Sequence, residues 1–218
     1  MQGKTIKQKI LLFDLDGTLI DSTEAIVESF LKATQRYGIN LDGQENKIQK
    51  MIGMTLSDMF ATVGIPREKL QECISVYREL YREIFLKKTF LLPKVKESFE
   101  TLPSTYKMGV VTSKSHFFSE KILENLGMLK YFFTLVGIDD VKEPKPSAEP
   151  IFKALEGMSY QKKQVYMIGD TIFDMQAAQN AGVIGIGVQG KYEENLSNFT
   201  HLVFEDIAKA LDYIKSQD

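Results

Sequence analysis

Short apolar runs punctuate the chain: KILLF, YKMGVVT, FTLVG, VYMIG and VIGIGV, each rich in β-branched residues and bounded by turn residues. Continuous rather than alternating apolarity over such lengths predicts strands buried on both faces. Between most of these runs the apolar positions recur at helical spacing, in SEKILENLGM, AEPIFKALEGM and DMQAAQNAG, with Gly127 and Gly182 placed as C-terminal stops. From about residue 106 onward strand and helix alternate, the pattern of an α/β fold with a Rossmann-like, doubly wound parallel sheet. The first strand stands apart from the second. Segments 22–37, 44–63 and 67–86 in that interval carry helical periodicity and no strand pattern. We therefore expect a Rossmann-like core formed by residues 1–20 and 90–218 and an inserted α-helical cap at 21–89, hinged at 19–21 and in KKTFLLP, residues 87–93.

Composition narrows the class. With 218 residues, 44% hydrophobic and 26% charged, the chain can bury a large core and disorder is not expected. A net charge of −2 and a pI near 5.8 offer no basic surface for counterion release, which argues against nucleic acid as a partner. The single cysteine, Cys73, excludes an intramolecular disulfide and a cysteine-rich zinc site, and points to a reducing, cytoplasmic setting. The start MQGKTIKQKILLFDLD is basic, but its apolar run ends at Asp14, too short for a signal or membrane segment. No membrane partner is expected. Monomer and homodimer fit the sequence equally.

Ligands of open α/β sheets gather beyond the carboxyl ends of the strands, and polar clusters fall at those ends. They are Asp14-Leu15-Asp16-Gly17-Thr18, Thr112-Ser113-Lys114, Asp139 and Asp140 followed by KEPKPSAEP with Lys145, and Gly169-Asp170 with Asp174 beyond. Carboxylates that meet without a cation raise one another's pKa values. A hard divalent ion such as Mg²⁺ removes that conflict, which makes Asp14 and Asp170 sensible direct ligands. Asp174, one helical turn from Asp170, is placed to hold a coordinated water. Thr112, the amides after it and Lys145 are donors suited to a phosphoryl group. Metal plus donors around an anion describes phosphoryl transfer.

With DLDGT, VVTSK, Lys145 and GDTIFD in this order, the sequence resembles the haloacid dehalogenase superfamily of phosphohydrolases over essentially its whole length. The helical insertion is similar to the C1-type cap of the subgroup that holds phosphoglycolate phosphatases, β-phosphoglucomutases and pyrophosphatase-like relatives. The resemblance implies that Asp14 attacks phosphorus and forms an aspartyl-phosphate. It implies that Asp16 protonates the leaving oxygen and later deprotonates water, while its backbone carbonyl contacts Mg²⁺. Thr112 and Ser113 would bind the phosphoryl group, Lys145 would neutralise it and steady Asp14, and Asp170 would ligate Mg²⁺ with Asp174 in support. The family's Lys-Pro-x-Pro reads Lys145-Pro146-Ser147-Ala148, with the next proline at Pro150, a change expected to alter loop stiffness more than chemistry.

The implied activity is hydrolysis of a small phosphorylated metabolite, with phosphoglycolate as first candidate. Pyrophosphatase and phosphosugar mutase are the alternatives within the family. A non-catalytic phosphate sensor is the alternative outside it. Against a mutase, Leu56 stands where an arginine would hold the sugar phosphate. For phosphoglycolate, Lys47, Lys50 and Arg67 are candidate partners of the carboxylate. A sugar phosphate would instead need hydroxyl partners such as Thr55, Ser57 or Asp58.

Other signals have plainer readings. Asp21 and Glu24 are spaced as a helix N-cap and its partner. Asp139 and Asp140 are ambiguous between capping and support of the site, and Lys142 reads as a solvated neighbour of Lys145. GIGVQG, residues 185–190, matches G-x-G-x-x-G but does not follow a first strand. Cys73 lies in the helical pattern Leu70, Ile74, Tyr77, Tyr81 and reads as core. His116 and His201 lack metal spacing, although His116 is close enough to Thr112 to line the mouth of a site.

Overall fold

The computed structural model describes residues 8–190 and 195–217; the basic N-terminal segment therefore lies mostly outside the described residues. β1 (Ile10–Phe13) is followed by a two-residue strand β2 (Ile20–Asp21) and the helices α1 (Thr23–Gln35), α2 (Glu45–Gln49), α3 (Leu56–Thr62) and α4 (Leu70–Ile84). The chain returns through β3 (Phe90–Leu91) and α5 (Val95–Glu100), then alternates β4 (Lys107–Val111), α6 (His116–Asn125), β5 (Thr134–Val136), α7 (Glu149–Ala154), β6 (Val165–Gly169), α8 (Ile172–Ala181) and β7 (Ile184–Val188). It closes with β8 (Val203–Phe204) and α9 (Ile207–Ser216).

The main sheet runs β5-β4-β1-β6-β7-β8, parallel throughout. β1 is central, with Phe13 registered against Val110 of β4 and Ile168 of β6. All of its residues are buried, as its unbroken apolar run requires. Successive side chains point to opposite faces: Leu11 and Phe13 join the larger core with α5, α6 and α9, whereas Ile10 and Leu12 join the smaller core against α7 and α8. Helices therefore cover both faces, as a doubly wound sheet demands. Gly127 and Gly182 end α6 and α8 with positive φ, the left-handed conformation that suits glycine at a helix stop.

The structure adds two features that the pattern did not show. β8 extends the sheet beyond the five runs read as strands, and β2 pairs antiparallel with β3 at the two ends of the helical insertion. Both are two residues long, too short to carry a periodic signal. The ribbon occupies the expected hinge segments, and Leu92 N donates to Leu19 O at 3.0 Å beside it. Segment 44–63 is also broken rather than continuous. Gly53, at φ +106, separates α2 from α3, and a Cβ there would stand 2.7 Å from Thr171 Cγ2 of the core.

Within the insertion α1 packs against α4 through an aromatic ladder. Phe30 stacks on Phe60 with centroids 4.4 Å apart, Phe60 meets Tyr77, and Tyr77 stacks on Tyr81. Tyr81 then meets Phe118 of α6 edge-on at 5.0 Å, so the ladder continues into the main body. Ser22, not Asp21, occupies the N-cap of α1. Its hydroxyl is committed elsewhere, and Asp21 Oδ1 accepts from Thr23 N at 3.0 Å, supplying the hydrogen bond from one residue earlier. No helix among the described residues is long and apolar enough to cross a membrane.

Candidate active site

The carboxyl ends of β1, β4 and β6 meet where the strand order reverses, and the charged residues predicted from the sequence converge there. Asp14 follows β1 directly, its backbone held by a 2.8 Å bond from Asp14 N to Ile168 O. Gly17, at φ +86, turns the chain back so that Gly17 N reaches Ile20 O at 2.9 Å. A Cβ on Gly17 would collide with the Asp170 carboxylate, so this position requires glycine for space as well as for backbone. Thr18 Oγ1 donates to Asp170 Oδ1 at 2.8 Å and ties the first loop to the end of β6.

Lys145 is buried and binds Asp14 Oδ1 at 2.7 Å, Asp174 Oδ1 at 2.6 Å and Val111 O at 3.1 Å. The altered proline motif therefore still delivers the lysine; Asn180 Nδ2 reaches Pro146 O and fastens the loop to α8. Asp174 also caps α8, its Oδ2 accepting from Thr171 N at 3.0 Å and Thr171 Oγ1 at 2.7 Å. Both of its carboxylate oxygens are thus engaged, Oδ1 by Lys145 and Oδ2 by Thr171. Lys142 is exposed and apart from this network, and its backbone N–H donates to Glu149.

Burial pushes the Asp14 carboxyl up to about 7, against the pull of the Lys145 ammonium and with Asp174 and Asp16 adding to the rise. Asp170 is raised well above the usual carboxylate range, first by burial and then by Asp14 and Asp174. Burial opposes the charge on Lys145, yet Asp14 and Asp174 hold its ammonium above the ordinary lysine range.

Ligand oxygens of Asp14, Asp170 and Asp174 all lie within 4.8 Å of one another. With all three carboxylates ionised, the one ammonium would leave an excess of two negative charges in a buried place. A divalent cation with oxygen ligands matches that excess. Space agrees with charge: Gly190 as well as Gly17 abuts the Asp170 carboxylate, and a Cβ on Gly190 would stand 2.5 Å from Oδ2. The donor set therefore fits Mg²⁺ or a similar hard ion.

Asp16 takes no part in that trio with its carboxylate. Its Oδ1 accepts a short hydrogen bond from Ser22 Oγ, and its Oδ2 stands 3.2 Å from Lys114 Nζ. Ser22 was not singled out by sequence reasoning, and Lys114 was named there only as part of the Thr112-Ser113-Lys114 cluster, without a role. Lys114 sits in the quoted VVTSK run, but its role depends on Tyr81 of α4, whose hydroxyl it reaches at 3.0 Å and whose ring it overlies. Thr112 N continues the sheet pairing to Val136 O, and Thr112 Oγ1 accepts from Lys114 N at 3.2 Å. The Ser113 hydroxyl is buried and has no hydrogen-bond partner among the described residues.

Asp14, Asp16, Thr112, Ser113 and Lys114 form the floor of a cavity of about 310 Å³ roofed by the helical insertion. The roof brings Ile52, Met54, Thr55, Leu56 and Ser57 from the α2–α3 turn and Gln71, Ile74, Tyr77, Arg78 and Tyr81 from α4. The Ile74-Tyr77-Tyr81 stripe, read as core from its spacing, thus also faces the site. None of Lys47, Lys50, Arg67 or Asp58 lines the cavity. Neither does His116, whose backbone N–H donates to Asp139 and whose ring pairs with Asp140 at 2.7 Å; both acids are structural here. GIGVQG is mostly the strand β7, with no phosphate-binding turn.

A parallel sheet with a roofed cavity at its switch point and an acidic trio crossed by one lysine defines an α/β phosphatase. The chain belongs to the haloacid dehalogenase-like hydrolases, whose family profile matches residues 11–188. It is 36% identical over 182 residues to the pyrophosphatase PpaX of Bacillus velezensis, covering 82% of each chain. It is 31% identical over 208 residues to a phosphoglycolate phosphatase of Aquifex aeolicus, covering 94% of this chain and 97% of the relative. Among solved structures, a predicted phosphatase from Clostridium acetobutylicum superposes with a TM-score of 0.86 at 26% identity, covering 96% of this chain and 99% of that one. The chain is accordingly an enzyme, and the phosphate-sensor reading is set aside.

Proposed function

We propose that this protein is a Mg²⁺-dependent phosphomonoesterase that works through an aspartyl-phosphate and acts on a small phosphorylated metabolite, with phosphoglycolate as the first candidate. The observation that carries the reading is the buried trio Asp14, Asp170 and Asp174 facing the single ammonium of Lys145, with Asp14 also reaching the floor of a roofed cavity. Asp14 Oδ1 is held by Lys145, while Oδ2 takes no hydrogen bond from the described residues and is the oxygen available for attack. A bond forms from that oxygen to phosphorus as the bond to the leaving oxygen breaks, and Asp16 gives the departing alkoxide its proton. Asp16 then accepts a proton from water, whose oxygen attacks phosphorus and frees Asp14 and inorganic phosphate. Lys114 Nζ, 3.2 Å from Asp16 Oδ2, and Ser22 Oγ hold that carboxylate in place for both steps.

Mg²⁺ held by Asp14, Asp170 and the Asp16 carbonyl, with Asp174 in support, would neutralise charge on the transferring phosphoryl group. The Thr112 and Ser113 hydroxyls and Lys145 hold and neutralise the phosphoryl oxygens. The helical insertion excludes water and shapes the leaving-group side.

Inorganic pyrophosphatase is the second reading, favoured by the identity to PpaX. A mutase is disfavoured further, because Leu56 lines the cavity and offers a sugar phosphate no charge. The test is phosphate release with and without Mg²⁺ from phosphoglycolate, sugar phosphates, nucleotides and pyrophosphate. Asp14→Asn should abolish it, and full activity in that variant would sink the proposal.

A further inference from the structure

Two cations line the cavity, and they differ in their commitments. Lys114 is engaged by Asp16 and by the hydroxyl and ring of Tyr81. Arg78, half-buried on α4 and placed in the roof, has no carboxylate or hydrogen-bond partner among the described residues. Its own helix cannot supply one. The positions four residues before and after are Ile74 and Arg82, so the pairing that quiets many helical cations is absent. Two lysines of the insertion do have such partners: Lys32 binds Glu28 at 2.7 Å and Lys69 binds Glu72 at 3.0 Å.

The rest of the roof offers Arg78 little competition. Ile52, Met54, Leu56, Ile74 and Tyr77 make the surrounding wall largely apolar. A guanidinium in such surroundings interacts more strongly with an anion than one in bulk water, and its planar fork matches carboxylate or phosphate oxygens. Gln71, one turn and a further turn before Ile74 and Arg78 on the same face, adds an amide beside it.

We infer that Arg78 anchors a second anionic group on the leaving side of the substrate, so that the enzyme selects short phosphoesters or anhydrides doubly charged at opposite ends. This rests on the phosphatase reading above. The shared chemistry is an oxyanion across the cavity from Asp14, and it has two sources: the carboxylate of a phosphorylated hydroxy acid such as phosphoglycolate, or the second phosphate of pyrophosphate. Lys47, Lys50 and Arg67, the cations expected from the sequence, are excluded from this role because they do not reach the cavity wall.

The experiment compares the full-length wild type with Arg78→Gln and Arg78→Lys on phosphoglycolate, pyrophosphate and phenyl phosphate, the last having no second anion. Arg78→Gln is expected to lower kcat/KM roughly thirty-fold on a doubly anionic substrate, mainly through KM, and to change phenyl phosphate by less than about two-fold. Arg78→Lys should recover part of the loss. Whichever of phosphoglycolate and pyrophosphate suffers the larger loss identifies the source of the anion. Equal losses on all three substrates, or no loss on either doubly anionic one, overturn the inference while leaving the phosphatase reading intact. Absence of phosphate release by the wild type from all three overturns both.

Discussion

Lys114 Nζ stands 3.2 Å from Asp16 Oδ2 and bonds Tyr81 of the helical insertion at 3.0 Å, so one ammonium touches both the proposed proton carrier and the roof above it. Burial works against that charge, yet Asp16, Tyr81 and Tyr77 hold it above the ordinary lysine range. Replacing it strands Asp16 and loosens the roof together. Lys114→Met should lower kcat on the order of 100-fold and cost about 3 kcal/mol of stability, the scale for removing one partner of a buried pair. Steady-state kinetics with a urea melt would check both, and unchanged kcat would show that Asp16 needs no such support.

Asp174 serves Lys145 and the first turn of α8 at once, and two substitutions separate these duties. Asp174→Ala removes both and should cost about 3 kcal/mol. Asp174→Asn keeps an acceptor for Thr171 N while losing the charge opposite Lys145. It should therefore stay closer to wild type in stability yet lose activity by roughly 100-fold. If the two variants were equally unstable, loss of the charge opposite Lys145 would account for the whole cost and the cap would contribute little.

Much of this site was legible because strand ends can be read from apolar runs, and Asp14, Thr112 and Asp170 each follow one directly. Lys145 was recoverable from its motif although it lies in a loop. What stayed hidden depends on contacts between distant segments. Arg78 is one more polar position on an amphipathic helix until α4 is laid over the floor, and Lys47, Lys50 and Arg67 were indistinguishable from it by composition. Ser22 was hidden for a different reason: it precedes a helix as a cap should, but its hydroxyl turns to Asp16 and leaves Asp21 to do the capping. The β2–β3 ribbon and β8 were lost to brevity.

Cys73 is fully buried in the insertion, and burial pushes its thiol up to about 11, with Glu72 adding to the rise. The thiolate is the reactive form. Folded protein near pH 8 should therefore leave the thiol unmodified by an aromatic disulfide reagent over minutes, and one equivalent should react at once on unfolding. Cys73→Ala should keep its kcat. Rapid labelling of the folded chain with loss of activity would instead place the thiol within reach of the cavity.

The acidic trio also predicts how stability responds to pH and metal. The Asp14 carboxyl moves from an ordinary value of 3.8 to about 7 on folding, chiefly through burial, and Asp170 moves the same way. Between those two values the folded chain keeps a proton that the unfolded chain has released. The sign follows: the Asp14 contribution to stability is fully present below the unfolded value and is lost as pH rises through about 7. Protein stripped of metal with EDTA should then melt on the order of 5 °C lower near pH 8 than near pH 5.5. Millimolar Mg²⁺ should erase most of that difference at the higher pH, because the cation replaces the protons that quiet the trio. Asp170→Asn should flatten the slope in the absence of metal by removing one of the mutually repelling charges. Scanning fluorimetry across both pH values reads all three effects, and a stripped protein more stable at pH 8 would show that Lys145 alone balances the trio.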